Sequence, residues 1–117
     1  MRKVSKSHMM KALDDDARER VFQRDGKVCV RCKNRNNGIQ WAHIISRRHL
    51  ALRWEADNAL TFCGGCHFFW HSQPFLAQEW FRKNWPDRYE NILKIYNSGM
   101  KTGKAFIREQ YEHLEAS

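Results

Sequence analysis

Two Cys-x-x-Cys pairs constrain this chain more than any other feature of its sequence. Cys29 and Cys32 form the first pair, Cys63 and Cys66 form the second, and 30 residues separate them. Each pair can present two thiolates to one ion, and two pairs together complete a tetrahedral site. A site filled entirely by cysteine is structural, because no position stays open for substrate. The spacing therefore predicts structural Zn²⁺.

A redox-active pair and an iron–sulfur cluster are the alternative interpretations of these cysteines. Neither pair lies in a recognisable strand-to-helix thioredoxin context, which favours zinc. Within the second pair, Gly64 and Gly65 are expected to supply the backbone freedom that a tight turn requires.

The length of 117 residues predicts one domain, residues 1–117, whose small core a structural metal would help to stabilise. A hydrophobic share of 42% with 13% aromatic residues is typical of a globular chain. No stretch is long and apolar enough for a membrane span, and the basic N-terminus leads into no apolar segment. A cytoplasmic protein is expected.

The net charge of +8 is concentrated in the first half of the chain. Residues 1–54 carry 14 Lys or Arg against 5 Asp or Glu, whereas residues 55–117 carry 7 against 8. A basic half suits a polyanion such as DNA, because each phosphate that is neutralised releases counterions. Solubility alone would explain the charge equally well.

The order of apolar, polar and turn residues predicts an α+β fold. The first dozen residues are expected to be a flexible basic arm, and Asp14 to Asp16 to begin the first helix. The other expected elements are strands over 39–45 and 59–62 and a basic loop over 46–57. Helices are expected to start around residues 63–66 and carry 67–71, to run from Pro74 to before Pro86 and from Asp87 to before Gly99, and to cover 104–115.

The helices after residue 75 offer no catalytic pattern. Leu76, Trp80 and Phe81 are predicted to lie on the inward face of one of them. These helices either complete the core or form an interface with another copy of the chain.

Three polar residues lie among the cysteines in the order His43, Asn58 and His67. His71 follows four residues after His67, so both would share one helix face and could bind one divalent ion. A histidine near its ordinary pKa of about 6.5 can remove a proton from water at neutral pH. These residue types suit the hydrolysis of a phosphodiester.

This order, interleaved with two Cys-x-x-Cys pairs, resembles the zinc-stapled form of the HNH endonuclease family. The stretches 42–48, 53–54 and 57–59 are similar to the version found in bacteriophages. The resemblance covers about residues 14–75, and residues 76–117 would be a helical extension. It implies a ββα-metal core, in which a hairpin and the helix after it enclose the active site.

The resemblance further implies a role for each residue of the site. His43 would be the general base, Asn58 would brace its loop, and His67 with His71 would hold catalytic Mg²⁺, Mn²⁺ or Ni²⁺. Residues that would contact DNA phosphates are Arg47, Arg48 and Arg53. The products would carry 5′-phosphate and 3′-hydroxyl ends. A second copy of the chain and phage packaging proteins are further partners that the sequence leaves open. A phage protein of this kind would act in the host cytoplasm, in genome packaging or recombination.

Ala42 departs from the family pattern, because many HNH proteins carry an Asp or His metal ligand at this position. The ion would then rest on His67 and His71 with waters, on Asp57, or on His43 itself. Each site residue also has a purely structural interpretation, as a core histidine, a turn asparagine or a solvated arginine. A zinc module that binds nucleic acid without cutting it, or a structural phage assembly protein, are the alternative functions.

Overall fold

The computed structural model describes residues 3–35 and 38–117. Met1, Arg2, Asn36 and Asn37 lie outside the described residues. The elements, in chain order, are α1 (Lys6–Arg24), β1 (Gln40–His43), α2 (Leu50–Arg53), a 3-10 turn (Ala56–Asn58), β2 (Ala59–Phe62), α3 (Gly64–Ser72), α4 (Pro74–Asn84), α5 (Pro86–Tyr96) and α6 (Lys104–Ala116). The predicted combination of helices with a small antiparallel sheet is confirmed.

Helix α1 begins eight residues before the predicted start, so a flexible arm over residues 6–12 was a wrong prediction. The Ser5 hydroxyl accepts a hydrogen bond from the backbone N–H of His8 at 3.1 Å and caps the helix. Residues at four-residue spacing form one buried face, namely Met9, Leu13, Ala17 and Val21. The three aspartates therefore lie within the helix, where Asp15 and Asp16 pair with basic side chains.

Strands β1 and β2 pair antiparallel, with Gln40 opposite Phe62 and His43 opposite Ala59. Helix α3 follows β2 at once, so the expected order of strand, strand and helix is present. Trp41 and His43 lie on one face of β1, with ring centroids 4.3 Å apart, whereas Ala42 is buried on the other. The face that carries His43 is thus separate from the face that packs into the core.

The segment between the strands is more ordered than the basic loop that the sequence predicts. It contains α2 and the 3-10 turn, and Leu52 within α2 is fully buried. This apolar anchor folds residues 46–58 back onto the hairpin.

The C-terminal helices contribute to the core around the hairpin. Phe81 of α4 and Ile92 of α5 lie in the same buried cluster as Phe62 and Trp70. Leu76 was predicted to face inward but is 58% exposed, and the adjacent Ala77 occupies the buried position instead. Proline at the first position of α4 and of α5 fits each helix start.

Helix α6 returns to the N-terminal part of the chain. Ile107 of α6 joins Met9 and Leu13 of α1 in a second buried cluster. Across residues 3–35 and 38–117, no helix combines the length and the apolar composition needed to cross a membrane.

Candidate active site and metal centre

The four cysteines converge at one point. Their sulfur atoms all lie within 4.8 Å of one another, and the Cys32 and Cys63 sulfurs are 3.6 Å apart. In a four-thiolate zinc site with Zn–S bonds of about 2.3 Å, neighbouring sulfurs lie roughly 3.8 Å apart. The sulfur cluster therefore fits one tetrahedral metal ion, and the predicted structural metal site is supported by its geometry.

Backbone geometry holds the two cysteine pairs together. The amide of Val30 donates to the Thr61 carbonyl at 3.0 Å, which ties the first pair to β2. The Cys63 sulfur caps α3 by accepting from the Cys66 amide at 3.4 Å. The second pair therefore does lie between a strand and a helix, contrary to expectation, and it is the approach of all four sulfurs that favours a metal site over a redox pair. Lys33, and neither Gly64 nor Gly65, adopts a left-handed conformation, with φ of 65°. The expected role of the glycine pair was therefore wrong, because both residues begin a regular helix.

Donor groups surround the sulfur atoms. Burial raises the pKa of Cys29, but backbone amides of Cys32, Cys63 and Arg31 outweigh this effect and lower the pKa to about 6. The Arg31 guanidinium donates to the Cys66 sulfur at 3.5 Å and stacks 3.7 Å from the Phe69 ring centre. Burial nevertheless raises the pKa of Cys66 to about 12, so the surroundings favour the thiolate at Cys29, whereas Cys66 would release its proton on binding a metal.

A cavity of about 640 Å³ lies between β1, α3 and the start of α4. Its lining includes His43, His67, His71 and Arg47, together with the indole of Trp41. Four residues that the sequence nominated for catalysis, metal binding or phosphate contact therefore border one space.

The His43 imidazole is held in one tautomer. Its Nε2 lies 2.9 Å from the Arg53 carbonyl oxygen. Because a carbonyl can only accept, Nε2 carries the proton, and the lone pair of the neutral ring is on Nδ1. Burial lowers the pKa of His43 below its ordinary value, despite the opposing effect of the Arg53 carbonyl. The ring is therefore neutral at pH 7 and able to accept a proton.

Asn58 fastens the segment that carries the Arg53 carbonyl. Its side chain is fully buried, and its Oδ1 accepts from the Ile45 amide at 2.9 Å. Its Nδ2 donates to the Ile45 carbonyl at 2.9 Å and to the Leu52 carbonyl at 3.0 Å. One side chain thus joins the end of β1 to α2, which is the position expected of a residue that braces the loop.

His67 and His71 direct the same ring nitrogen toward each other. Their Nε2 atoms are 3.1 Å apart. Two imidazole nitrogens bound to one ion at about 2.0–2.1 Å would lie roughly 3.0–3.4 Å apart. The two rings are hydrogen-bonded at this separation, and a divalent cation could replace the shared proton with little change in the distance.

Gln40 is a site residue that sequence reasoning missed. Its Oε1 lies 2.5 Å from Nδ1 of His67, so the amide oxygen accepts the Nδ1 proton and leaves the Nε2 lone pair facing His71. Metal-binding histidines commonly donate their second N–H to such an acceptor. Gln40 lies 27 residues before His67, and no local pattern in the chain signals the contact.

Three other nominated residues are placed away from this arrangement. The Arg53 guanidinium pairs with Asp14 at 2.7 Å, and Asp57 accepts from the Asn91 amide at 2.8 Å. Arg48 is exposed and does not line the cavity. Of the three arginines nominated for phosphate contact, Arg47 is the one that lines the cavity.

Among residues 3–35 and 38–117, no third His, Cys, Asp or Glu side chain converges with His67 and His71. In the described part of the chain, three or more ligand atoms of His, Cys, Asp or Glu converge at one place, which is the four-cysteine cluster. His43 is therefore not within ligating range of the His67 and His71 pair. A cation there would complete its coordination with water or substrate oxygen.

Comparison of the chain with protein-family models, with curated proteins and with solved structures found no match in any of the three. Function is therefore inferred from the site itself.

Proposed function

We propose that this protein is a metal-dependent DNA endonuclease of the HNH class, which hydrolyses phosphodiester bonds. The observation that carries the proposal is the shared cavity: His43, with its Nδ1 lone pair available, borders the same space as the paired Nε2 atoms of His67 and His71. A base and an adjacent cation site are the two elements that hydrolysis of a phosphodiester requires.

His43 removes the proton from the attacking water through Nδ1. Its Nε2 proton stays on the ring, hydrogen-bonded to the Arg53 carbonyl, so the imidazolium that forms is stabilised by an oriented dipole. A general base of this kind contributes about 10²–10⁴-fold to the rate. Asn58 acts on His43 indirectly, because it holds the neighbouring Leu52 carbonyl and thereby the position of α2.

His67 and His71 would hold the catalytic Mg²⁺, Mn²⁺ or Ni²⁺. When bound, the ion would supply Lewis-acid stabilisation of the charge on the phosphate and on the departing 3′ oxygen. Gln40 fixes the tautomer of His67 that makes this binding feasible. The four-cysteine site, filled by Zn²⁺, fixes the end of β2 and the start of α3 and so positions His67, which directly follows Cys66.

Arg47 would contact a substrate phosphate at the edge of the cavity, and the excess of Lys and Arg over residues 1–54 would attract DNA. Arg53 is excluded from this role in the proposal because its guanidinium already binds Asp14 in a bidentate pair. Arg48 stays available for DNA beyond the cavity.

A second candidate is a zinc module that binds nucleic acid without cutting it. Ala42 favours this alternative, because it is 1% exposed and leaves two protein ligands for the cation instead of three. The position and tautomer of His43 have no purpose in such a module, and so the nuclease is preferred.

The deciding experiment incubates zinc-loaded protein with supercoiled plasmid and Mg²⁺, Mn²⁺ or Ni²⁺. We expect nicked or linear product with at least one ion, and a loss of about 10²-fold or more for His43→Ala. His113→Ala, which removes an exposed histidine on α6, is the matched control and should cut normally.

Three results are distinguishable in this experiment. An absence of cleavage with every ion, together with retained DNA in a gel-shift assay, would establish the binding module instead. Equal cutting by His43→Ala and the wild type would remove His43 as the base. Loss of cutting by His113→Ala as well would point to a general loss of structure.

A further inference from the structure

Arg53 contacts the candidate base through its main chain and an aspartate of helix α1 through its side chain. The Arg53 carbonyl accepts the Nε2 proton of His43 at 2.9 Å. The guanidinium of the same residue donates to both carboxylate oxygens of Asp14, from Nε at 2.9 Å and from Nη2 at 2.7 Å. One residue therefore connects the candidate base to helix α1.

Asp14 also holds the next residue. The indole N–H of Trp54 donates to Oδ1 of Asp14 at 2.8 Å, so the carboxylate receives three hydrogen bonds from two consecutive side chains. The Arg53 and Asp14 side chains are only 17% and 20% exposed. Burial opposes ionisation of Asp14, but the hydrogen bonds from Arg53 and Trp54 outweigh it and lower its pKa. The carboxylate is therefore charged at neutral pH, as a firm bidentate contact requires.

The same segment is fixed from its other side. Asn58 donates to the carbonyl of Leu52 at 3.0 Å, one residue before Arg53. Residues 52–54 are thus held by Asn58 on the hairpin side and by Asp14 on the α1 side. The Arg53 carbonyl, which is directed at His43, lies between these two attachments.

We propose that Asp14 is a positioning residue for the general base: through the side chains of Arg53 and Trp54 it fixes the carbonyl that holds His43 in its Nε2-protonated tautomer. Helix α1 then belongs to the catalytic apparatus as well as to the scaffold. This inference rests on the proposed role of His43 in cleavage, but its structural part can be tested without cleavage.

The charged groups that face His43 determine how the test is interpreted. They are Arg53 and Arg47, which oppose its protonation, and Asp14, which favours it. Removal of the Asp14 charge therefore lowers the pKa of His43 even if nothing moves. A change in charge alone leaves the proton of the neutral ring on Nε2, so the tautomer, and not the pKa, reports the position of the carbonyl.

The experiment compares Asp14→Asn with Asp15→Asn in the full-length, zinc-loaded protein. Asp15 is the adjacent carboxylate on the same helix, and it pairs with the exposed Lys11 and Arg18, so both variants remove one ion-paired charge. Long-range ¹H–¹⁵N NMR on histidine-labelled protein reports the tautomer of His43 at about pH 8, above the ordinary histidine range. Steady-state cleavage of plasmid gives kcat and KM separately.

We expect a single Nε2-protonated tautomer in the wild type and in Asp15→Asn, and a mixture of both tautomers in Asp14→Asn. The same variant should lose roughly tenfold in kcat with KM within about twofold, because a misplaced base affects the chemical step. Trp54→Phe, which removes one of the three hydrogen bonds and keeps an aromatic ring, should show smaller changes in the same direction. This variant decides the question if Asp14→Asn does not fold.

A single Nε2-protonated tautomer in both Asp14→Asn and Trp54→Phe would overturn the proposal, whatever the cleavage rates. A mixed tautomer in Asp14→Asn, in a protein whose wild type cuts no DNA, would support the positioning of His43 and refute the nuclease. The failure of one inference is therefore distinguishable from the failure of the other.

Discussion

Replacing Asn58 with alanine removes three hydrogen bonds from a fully buried side chain and leaves three backbone groups of Ile45 and Leu52 without that partner. Each such bond contributes about 0.5–1.5 kcal/mol, and a buried group left unpaired costs about 1–3 kcal/mol. Because Ile45 is only half-buried, water can satisfy part of what its backbone groups lose, and we expect the free energy of unfolding to fall by about 2–4 kcal/mol.

Urea unfolding followed by tryptophan fluorescence measures this change, with zinc saturation held constant. For a chain of this size the melting temperature should fall by roughly 4 °C for each kcal/mol, which is about 8–16 °C in total. Asn84→Ala is the matched control, because Asn84 is exposed and its amide donates to the Trp80 carbonyl one turn earlier in α4. That variant should change the free energy by no more than about 0.5 kcal/mol.

Cleavage by Asn58→Ala should fall as well, measured well below its melting temperature, because α2 and the Arg53 carbonyl lose their attachment to the hairpin. A loss of stability below about 1 kcal/mol would refute the assigned hydrogen-bond network. Normal stability with lost cleavage would mean that Asn58 contacts substrate and does not brace the loop.

Three further predictions concern the metals and pH. Removing Zn²⁺ with a chelator should unfold the hairpin and α3, which circular dichroism would detect; unchanged spectra after verified loss of zinc would contradict a structural role. Gln40→Ala should weaken Ni²⁺ or Mn²⁺ binding about 10–100-fold by calorimetry and leave the zinc content unchanged, whereas equal affinities would show that Gln40 does not orient His67. Because burial lowers the pKa of His43 and the neutral ring is the active form, kcat should fall with decreasing pH only below about 6.5, and a decline that begins above this value would contradict the assignment.

Short-range features of the sequence anticipated much of the fold. The boundaries of β2, α4 and α6 agree with prediction to within a residue or two, because proline, glycine and apolar spacing act over a few neighbouring residues. The approach of His67 and His71 follows from helical periodicity alone. The predicted start of α1 was wrong, because it rested on Asp14 to Asp16, which lie within the helix. The true start is marked by the capping residue Ser5 and by the four-residue spacing of Met9 and Leu13.

The sequence by itself determined which reactive groups exist: four thiols in two pairs, two histidines one helical turn apart, and a strand histidine between the pairs. Only the tertiary structure decided how they are supported. Gln40 meets His67 across 27 residues, and Asp14 meets Arg53 across 39, which turned an arginine predicted to bind phosphate into an internal ion pair. Spacing in the chain carries no information about such contacts, because packing of α1, α2 and the hairpin determines which polar groups face each other.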